Sequence, residues 1–153
     1  MKTIIFSLCL ILSINLYSQD NSINSNNNKK LMSVLGSFSS SNIYLSYLNV
    51  DMLAEQVLNK NIDTKKSTKI LLSLKQVINQ LDLNLRELHK LAESNEDAVV
   101  IYRLIYISEK MKEDTQNLEL YIKDSTNQNL NKFKKSHNLI FNKLKSLSTL
   151  KNR

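Results

Sequence analysis

Between Thr64 and Ala92 apolar residues recur at helical intervals: Ile70, Leu71, Leu74, Val77, Ile78, Leu81, Leu85 and Leu88, with Gln76, Asn79, Arg86 and Lys90 turned away. At about 100° per residue these positions fall on one stripe, which predicts an amphipathic helix that needs neighbours to cover it. The preceding segment, about Leu31 to Asn59, carries two apolar lines. Leu31, Val34, Leu35, Phe38, Leu45, Leu48, Met52 and Leu53 form the fuller stripe, expected to face the core. Ile43, Val50 and Val57, with Tyr47 beside them, lie roughly opposite. That second line either packs in a central position or forms a partner surface, so Ile43, Tyr47, Val50 and Val57 are the candidate partner-binding residues. Gly36 and the run Ser39-Ser40-Ser41-Asn42 are poor helix formers and allow a helix start as late as Ser41 or Asn42.

A third stripe holds Ile101, Leu104, Ile105, Met111, Leu118 and Ile122, with Ser108 and Thr115 as small polar interruptions. A fourth holds Leu130, Phe133, His137, Ile140, Leu144 and Leu147 in 3-4 alternation. Residues 59–63 read as a turn, with Asp63 or Thr64 as N-cap of the second helix. Ser94-Asn95-Glu96-Asp97 has the form of a capping box that starts the third helix at once. Ser125 to Asn129 reads as a third turn, with Ser125 and Gln128 as another box. The alternative is one continuous helix from Glu96 to Leu150, because the stripe phase runs through that junction. Such a helix spans roughly 80 Å and needs a partner chain.

Short turns between long helices favour antiparallel neighbours. The expected fold is therefore all-α, an up-down-up-down four-helix bundle over residues 31–150. The alternative is a helical hairpin with one long C-terminal helix, dimerising as a coiled coil. The absence of proline and the single glycine, Gly36, agree with an all-helical chain.

The N-terminus reads differently. Met1-Lys2 precedes an apolar run from Ile4 to Leu16, shorter than the ~20 residues of a membrane-spanning helix. Residues 1–18 are read as a secretory signal peptide with cleavage after Ser18. Residues 19–30, rich in Asn and Ser, are expected to form a disordered polar leader. The implied destination is the periplasm or the medium. Cys9, the one cysteine, sits inside the apolar run, so cleavage leaves no thiol for disulfides, metal sites or nucleophilic catalysis.

The chain carries a net charge of +7, unevenly spread. From Ser94 to Asp124 there are four bases and seven acids; from Ser125 to Arg153 there are seven bases and no acid. Lys132 and Lys143 flank one side of the last stripe, Lys134 and Lys145 the other, and Lys135 points out. These lysines either meet Glu109, Glu113, Asp114 and Glu119 on the third helix, or dock an anionic surface. With no nucleic-acid reading motif, nucleic acid is not an expected partner.

No phosphate-binding glycine loop, nucleophile elbow, H-E-x-x-H or EF-hand pattern is present. His137 lies in the last apolar stripe, where a core-edge histidine bonded to a neighbour is the expected role over a ligand or base. His89 and His137 fall about 20 Å apart along an antiparallel bundle, too far to share a metal. Tyr102 and Tyr106 sit on the outer side of the third helix, at an interface or as solvent-edge packing. No catalytic, cofactor-binding or metal-binding residue is assigned. The expected function is that of an exported, non-enzymatic bundle binding another protein through helix faces, as adaptor or inhibitor. Alternatives are a holdase-type chaperone or anionic envelope-surface binder, and a carrier of a small apolar ligand. Self-association into a homo-oligomer is a further expectation.

Overall fold

A computed structural model describes the backbone of residues 25–150 and the side chains of residues 30–147. The expected signal peptide and the first part of the polar leader lie outside the described residues. The chain divides into two compact units, Met1–Leu31 and Met32–Arg153. The helical core belongs to the second. Among the described residues the protein is all-helical, with four helices: α1 (Ser25–Leu58), α2 (Thr64–Lys90), α3 (Asn95–Lys123) and α4 (Asn127–Leu150). None is long and apolar enough to cross a membrane.

α1 starts earlier than the sequence suggests, at Ser25, inside the stretch expected to be a disordered leader. It also runs without a break through Gly36 and the serine cluster. The polar side chains there turn back onto the helix: Ser40 Oγ donates to the Gly36 carbonyl (2.8 Å), Ser41 Oγ to Ser37 (3.0 Å) and Asn42 Nδ2 to Phe38 (3.0 Å). Competition with the backbone is thereby resolved inside the helix. α1 ends in a Schellman-type turn, in which the Asn61 N–H reaches the Gln56 carbonyl and the Lys60 N–H reaches Val57. Lys60 takes the left-handed conformation, with φ 54°.

The other boundaries follow their caps. Asp63 accepts from the Lys66 N–H at 2.7 Å and starts α2. Ser94 accepts from the Asp97 N–H at 3.1 Å and starts α3. α3 stops at Lys123, because Asp124 adopts an extended backbone (φ −143°, ψ 99°). The single long C-terminal helix is therefore excluded. The cap of α4 is Thr126, whose Oγ1 accepts from the Asn129 N–H, and not Ser125, whose hydroxyl donates to the Tyr121 carbonyl. Asn129 Nδ2 closes the turn on the Asp124 carbonyl at 2.9 Å.

α2 packs on α3 and α3 on α4. Ile78, Leu81 and Leu85 of α2 are buried with Leu104, Met111 and Leu118 of α3 and Phe133 and Ile140 of α4. Each fully buried side chain of this size contributes about 1.5–3 kcal/mol of transfer free energy. Ion pairs tie α2 to α3 along the seam, Lys75 with Glu119, Asp82 with Lys112 and Arg86 with Glu109, so position numbers rise on one helix as they fall on the other.

α1 reverses the sequence expectation. Its buried side is the sparser line, with Ile43 at 0%, Val50 at 1% and Tyr47 at 7% exposure. Half of the fuller stripe, Val34, Phe38, Leu45 and Met52, points outward, while Leu53 is buried and Leu35 and Leu48 pack against the core. Ile43, Tyr47 and Val50 are core residues and Val57 is half-buried against the core, so this line is not open to a partner. The physical reason lies in the neighbours. The line carrying Tyr47 and Asp51 finds polar and aromatic complements on α4, whereas the leucine-rich line offers only apolar area.

Candidate functional site

A polar residue buried in an apolar stripe needs a hydrogen-bond partner, since an unpaired one costs about 1–3 kcal/mol. Thr115 and Ser67 find theirs in carbonyls of their own helices, but a buried carboxylate needs donors from a facing helix. Two such pairings exist. At the first, between α2 and α3, Asp82 occupies the phase of Ile78 and Leu85, and α3 presents Ser108 to it. The Ser108 hydroxyl lies 2.7 Å from Asp82 Oδ1, Lys112 Nζ donates to Oδ2 at 2.7 Å and Arg86 Nε to Oδ2 at 3.1 Å. Burial opposes ionisation of Asp82, but hydrogen bonds from Lys112, Ser108 and Arg86 outweigh it and hold its pKa below the usual carboxylate range.

The second joins α1, α3 and α4 at His137. Its Nδ1 lies 2.8 Å from Asp114 Oδ2, and its Nε2 lies 3.1 Å from Asp51 Oδ1. Asp114 is almost fully enclosed, at 2% exposure, and its other oxygen is 2.5 Å from the Ser136 hydroxyl, which accepts in turn from Asn117. The Tyr47 ring stacks on the imidazole at 4.5 Å and 15°, and Phe133 closes the other approach at 5.1 Å. Burial works against the imidazolium, but the hydrogen bonds and negative charges of Asp114 and Asp51 prevail and raise the His137 pKa. Burial, reinforced by those same carboxylates, pushes the Tyr47 hydroxyl up to about 12.

This second cluster brings together a serine, a histidine and two aspartates that sequence reading did not associate. The contacts are not those of a nucleophile and its base: Ser136 is bonded to Asp114, and both imidazole nitrogens face carboxylates. What the arrangement does is bind a proton and tie α1 to the other two helices. Among the described residues no group of His, Cys, Asp and Glu is placed to hold a metal ion. His89 stands apart, beside Tyr102 (ring centroids 6.4 Å) in a shallow groove of about 450 Å³ lined also by Leu83, Arg86, Tyr106 and Glu109.

Lys132, Lys134, Lys135, Lys143 and Lys145 are all exposed on α4. The acids of α3 do not pair with Lys132, Lys134, Lys135 or Lys143. Arg86 engages Glu109, Lys110 engages Glu113, Lys75 and Lys123 engage Glu119, and His137 engages Asp114. The two lysines on Glu119 hold its pKa down to about 2 against a smaller opposing effect of burial. Lys143 instead lies over the Tyr106 ring, 5.6 Å from its centroid, with Lys110 at 5.9 Å from the same ring. Lys132, Lys134 and Lys135 have no carboxylate partner among the described residues. Tyr102 is exposed and Tyr106 half-buried.

No protein-family model, curated protein or solved structure matches the chain.

Proposed function

We propose that this chain is an exported, non-enzymatic helical protein, folded as an up-down-up-down bundle behind a cleaved leader of residues 1–18, that binds another protein through a helix face. The contact face is the outer side of α4, and its partner is acidic there. The observation that carries this reading is the set Lys132, Lys134 and Lys135, which lack carboxylate partners on a helix without acids. Three like charges held a few residues apart repel one another, and an acidic partner relieves that repulsion while steering association. The buried line of α1 is no longer part of the proposal.

A second reading, docking onto an anionic envelope surface, is favoured by Leu139 and Phe141, which are exposed among the same lysines. The chaperone reading has no comparable support. For an apolar-ligand carrier the groove beside Tyr102 is one candidate space among the described residues, and solvent extraction with mass spectrometry of the purified chain tests the reading.

The deciding experiment is in-cell crosslinking of the tagged protein beside a variant with Lys132→Glu, Lys134→Glu and Lys135→Glu. A single captured protein, lost in the variant, supports the adaptor reading. Equal capture by both proteins removes α4 as the contact face. Enrichment of lipid alone transfers the reading to the envelope surface.

A further inference from the structure

The outward side of α1 is a seam of the kind used between helices. Val34, Phe38, Leu45 and Met52 are 62, 48, 51 and 57% exposed; exposed Ser41 and Leu48, which is half-buried because it also packs against the core, complete the series 34, 38, 41, 45, 48, 52. The spacing alternates four and three residues, the interval that keeps apolar positions facing another helix. It extends over about 27 Å of helix, opposite the line that α1 buries in its own core. Scattered exposed leucines need no explanation, but a continuous stripe at this spacing does.

We infer that α1 pairs with α1 of a second copy of this chain, antiparallel, through this stripe. Three observations favour an identical partner. First, between Leu31 and Met52 the only charged residue is Asp51, and it is turned to His137. Two copies therefore meet without like-charge repulsion, and the seam offers no charge pattern that selects a different protein. Second, one antiparallel register fills every position: Val34 opposes the partner's Met52, Phe38 the partner's Leu48, and Ser41 the partner's Leu45. Leu45 meets the small Ser41, Val34 meets the flexible Met52, and Phe38 is kept off its own copy. A parallel pair instead stacks Phe38 on its own copy and brings Glu55, the next position of the repeat, against itself. Third, Ser41 is fit to be covered, because its hydroxyl already donates to the Ser37 carbonyl at 3.0 Å.

A seam of this length buries on the order of 1,000 Å² in total, at the lower edge for specific association, so the pairing is reversible and follows concentration. Its consequence is two α4 faces on one particle, which raises avidity for any repeated anionic partner.

Sedimentation equilibrium of the full chain over a concentration series tests the seam, with Leu45→Glu and Ser41→Lys as variants. Both positions point away from the core, so circular dichroism should report unchanged helicity. The expected result is a monomer–dimer equilibrium in the parent and a dissociation constant raised about tenfold or more in each variant. An equimolar mixture of the two variants should recover association, because the new lysine of one faces the new glutamate of the other. A parent that stays monomeric throughout, a Leu45→Glu variant that dimerises as the parent does, or a mixture that recovers nothing overturns the pairing. A monomer that still captures its acidic partner overturns the seam alone. A dimer that captures nothing leaves the seam standing and removes the proposed α4 function.

Discussion

Asp82 and Asp114 are both carboxylates buried on apolar helix stripes, yet their charges are balanced in different ways. Asp82 is met by Lys112 and Arg86, cations that reach water along their own stems. Asp114 is met by His137, a cation only while it holds its second proton, and the same ring reaches across to Asp51 on α1. The α2–α3 seam is thus tied by permanent charge and the attachment of α1 by a titratable one. The α2–α3 pair is therefore expected to hold over a wide pH range, and the attachment of α1 to follow the protonation of His137.

The largest expected effect breaks the comparison directly. His137→Ala strands Asp114 in a site closed to water and opens a cavity between Tyr47 and Phe133. The expected loss is about 3–5 kcal/mol of unfolding free energy, as for removing one partner of a buried pair. Asp82→Ala leaves behind cations that can turn to solvent, and the expected loss is about 1–2 kcal/mol. Urea denaturation of the two variants beside the parent gives both numbers. Equal losses would mean that Asp114 reaches water after all, and the contrast between the two sites would fall.

Much of this arrangement was open to sequence reading where a helix has one apolar side. The stripes of α3 and α4 and the caps at Asp63 and Ser94 follow from spacing and residue type. The stripe of α2 holds except at Ile70 and Val77, which are exposed, and the turn expected over residues 125–129 closes by Thr126, because α4 already begins at Asn127. α1 defeated the same method because it has two apolar lines, and periodicity ranks lines by bulk without knowing what faces them. The signal that could have decided it was polar: Asp51 flanks the sparser line, one turn from Tyr47, and His137 interrupts the stripe of α4. Ser108 stands out as a polar interruption in α3, but its match, Asp82, sits among Leu81, Leu83 and Leu85, where spacing alone does not mark it as buried. Buried charged residues in phase with apolar stripes meet complements on a facing helix here, and pairing them orders helices in a way that hydrophobicity alone does not. The lysines of α4 show the converse. For Lys132, Lys134, Lys135 and Lys143 the expected partners on α3 are of the right charge, but Arg86 and Lys75 of α2, Lys110 and Lys123 of α3 and His137 of α4 engage them instead.

A pH series sharpens the comparison with a smaller effect. The folded pKa of His137 is raised above the ~6.5 of a free imidazole, so its contribution is whole below about pH 6.5 and fades as pH rises through the higher folded value. The proton that leaves is the one facing Asp51. Nδ1 keeps its hydrogen toward the enclosed Asp114, while Asp51 is over half exposed and can take water instead. Hydrogen exchange should therefore quicken in α1 around Tyr47 and Asp51 as pH rises above the ordinary imidazole value of about 6.5, once corrected for intrinsic rates. The α2–α3 seam should hold over that range and weaken only in acid. Asp82 and Glu119 have lowered pKa values, so their contribution is present above the ordinary carboxylate range and is lost as pH falls through the folded values, about 2 for Glu119. Uniform loosening of all four helices in alkali would assign the transition to something other than His137.

The finest test removes one hydroxyl from each aspartate. Ser108→Ala and Ser136→Ala each delete a bond to a buried carboxylate, and each is expected to cost about 1 kcal/mol near neutral pH. Their pH dependence should differ. Asp82 without Ser108 still has two cations on Oδ2, so that cost should stay level as the solution turns alkaline. Asp114 without Ser136 depends on His137 alone, and once the ring is neutral a fully enclosed carboxylate keeps a single uncharged donor. The cost of Ser136→Ala should therefore grow with pH while that of Ser108→Ala does not, as measured by urea midpoints of both variants on either side of the His137 transition. Parallel pH profiles would show that the charge on His137 does not reach Asp114 in the way the geometry implies, and the imidazole would then act on α1 through packing against Tyr47 and Phe133.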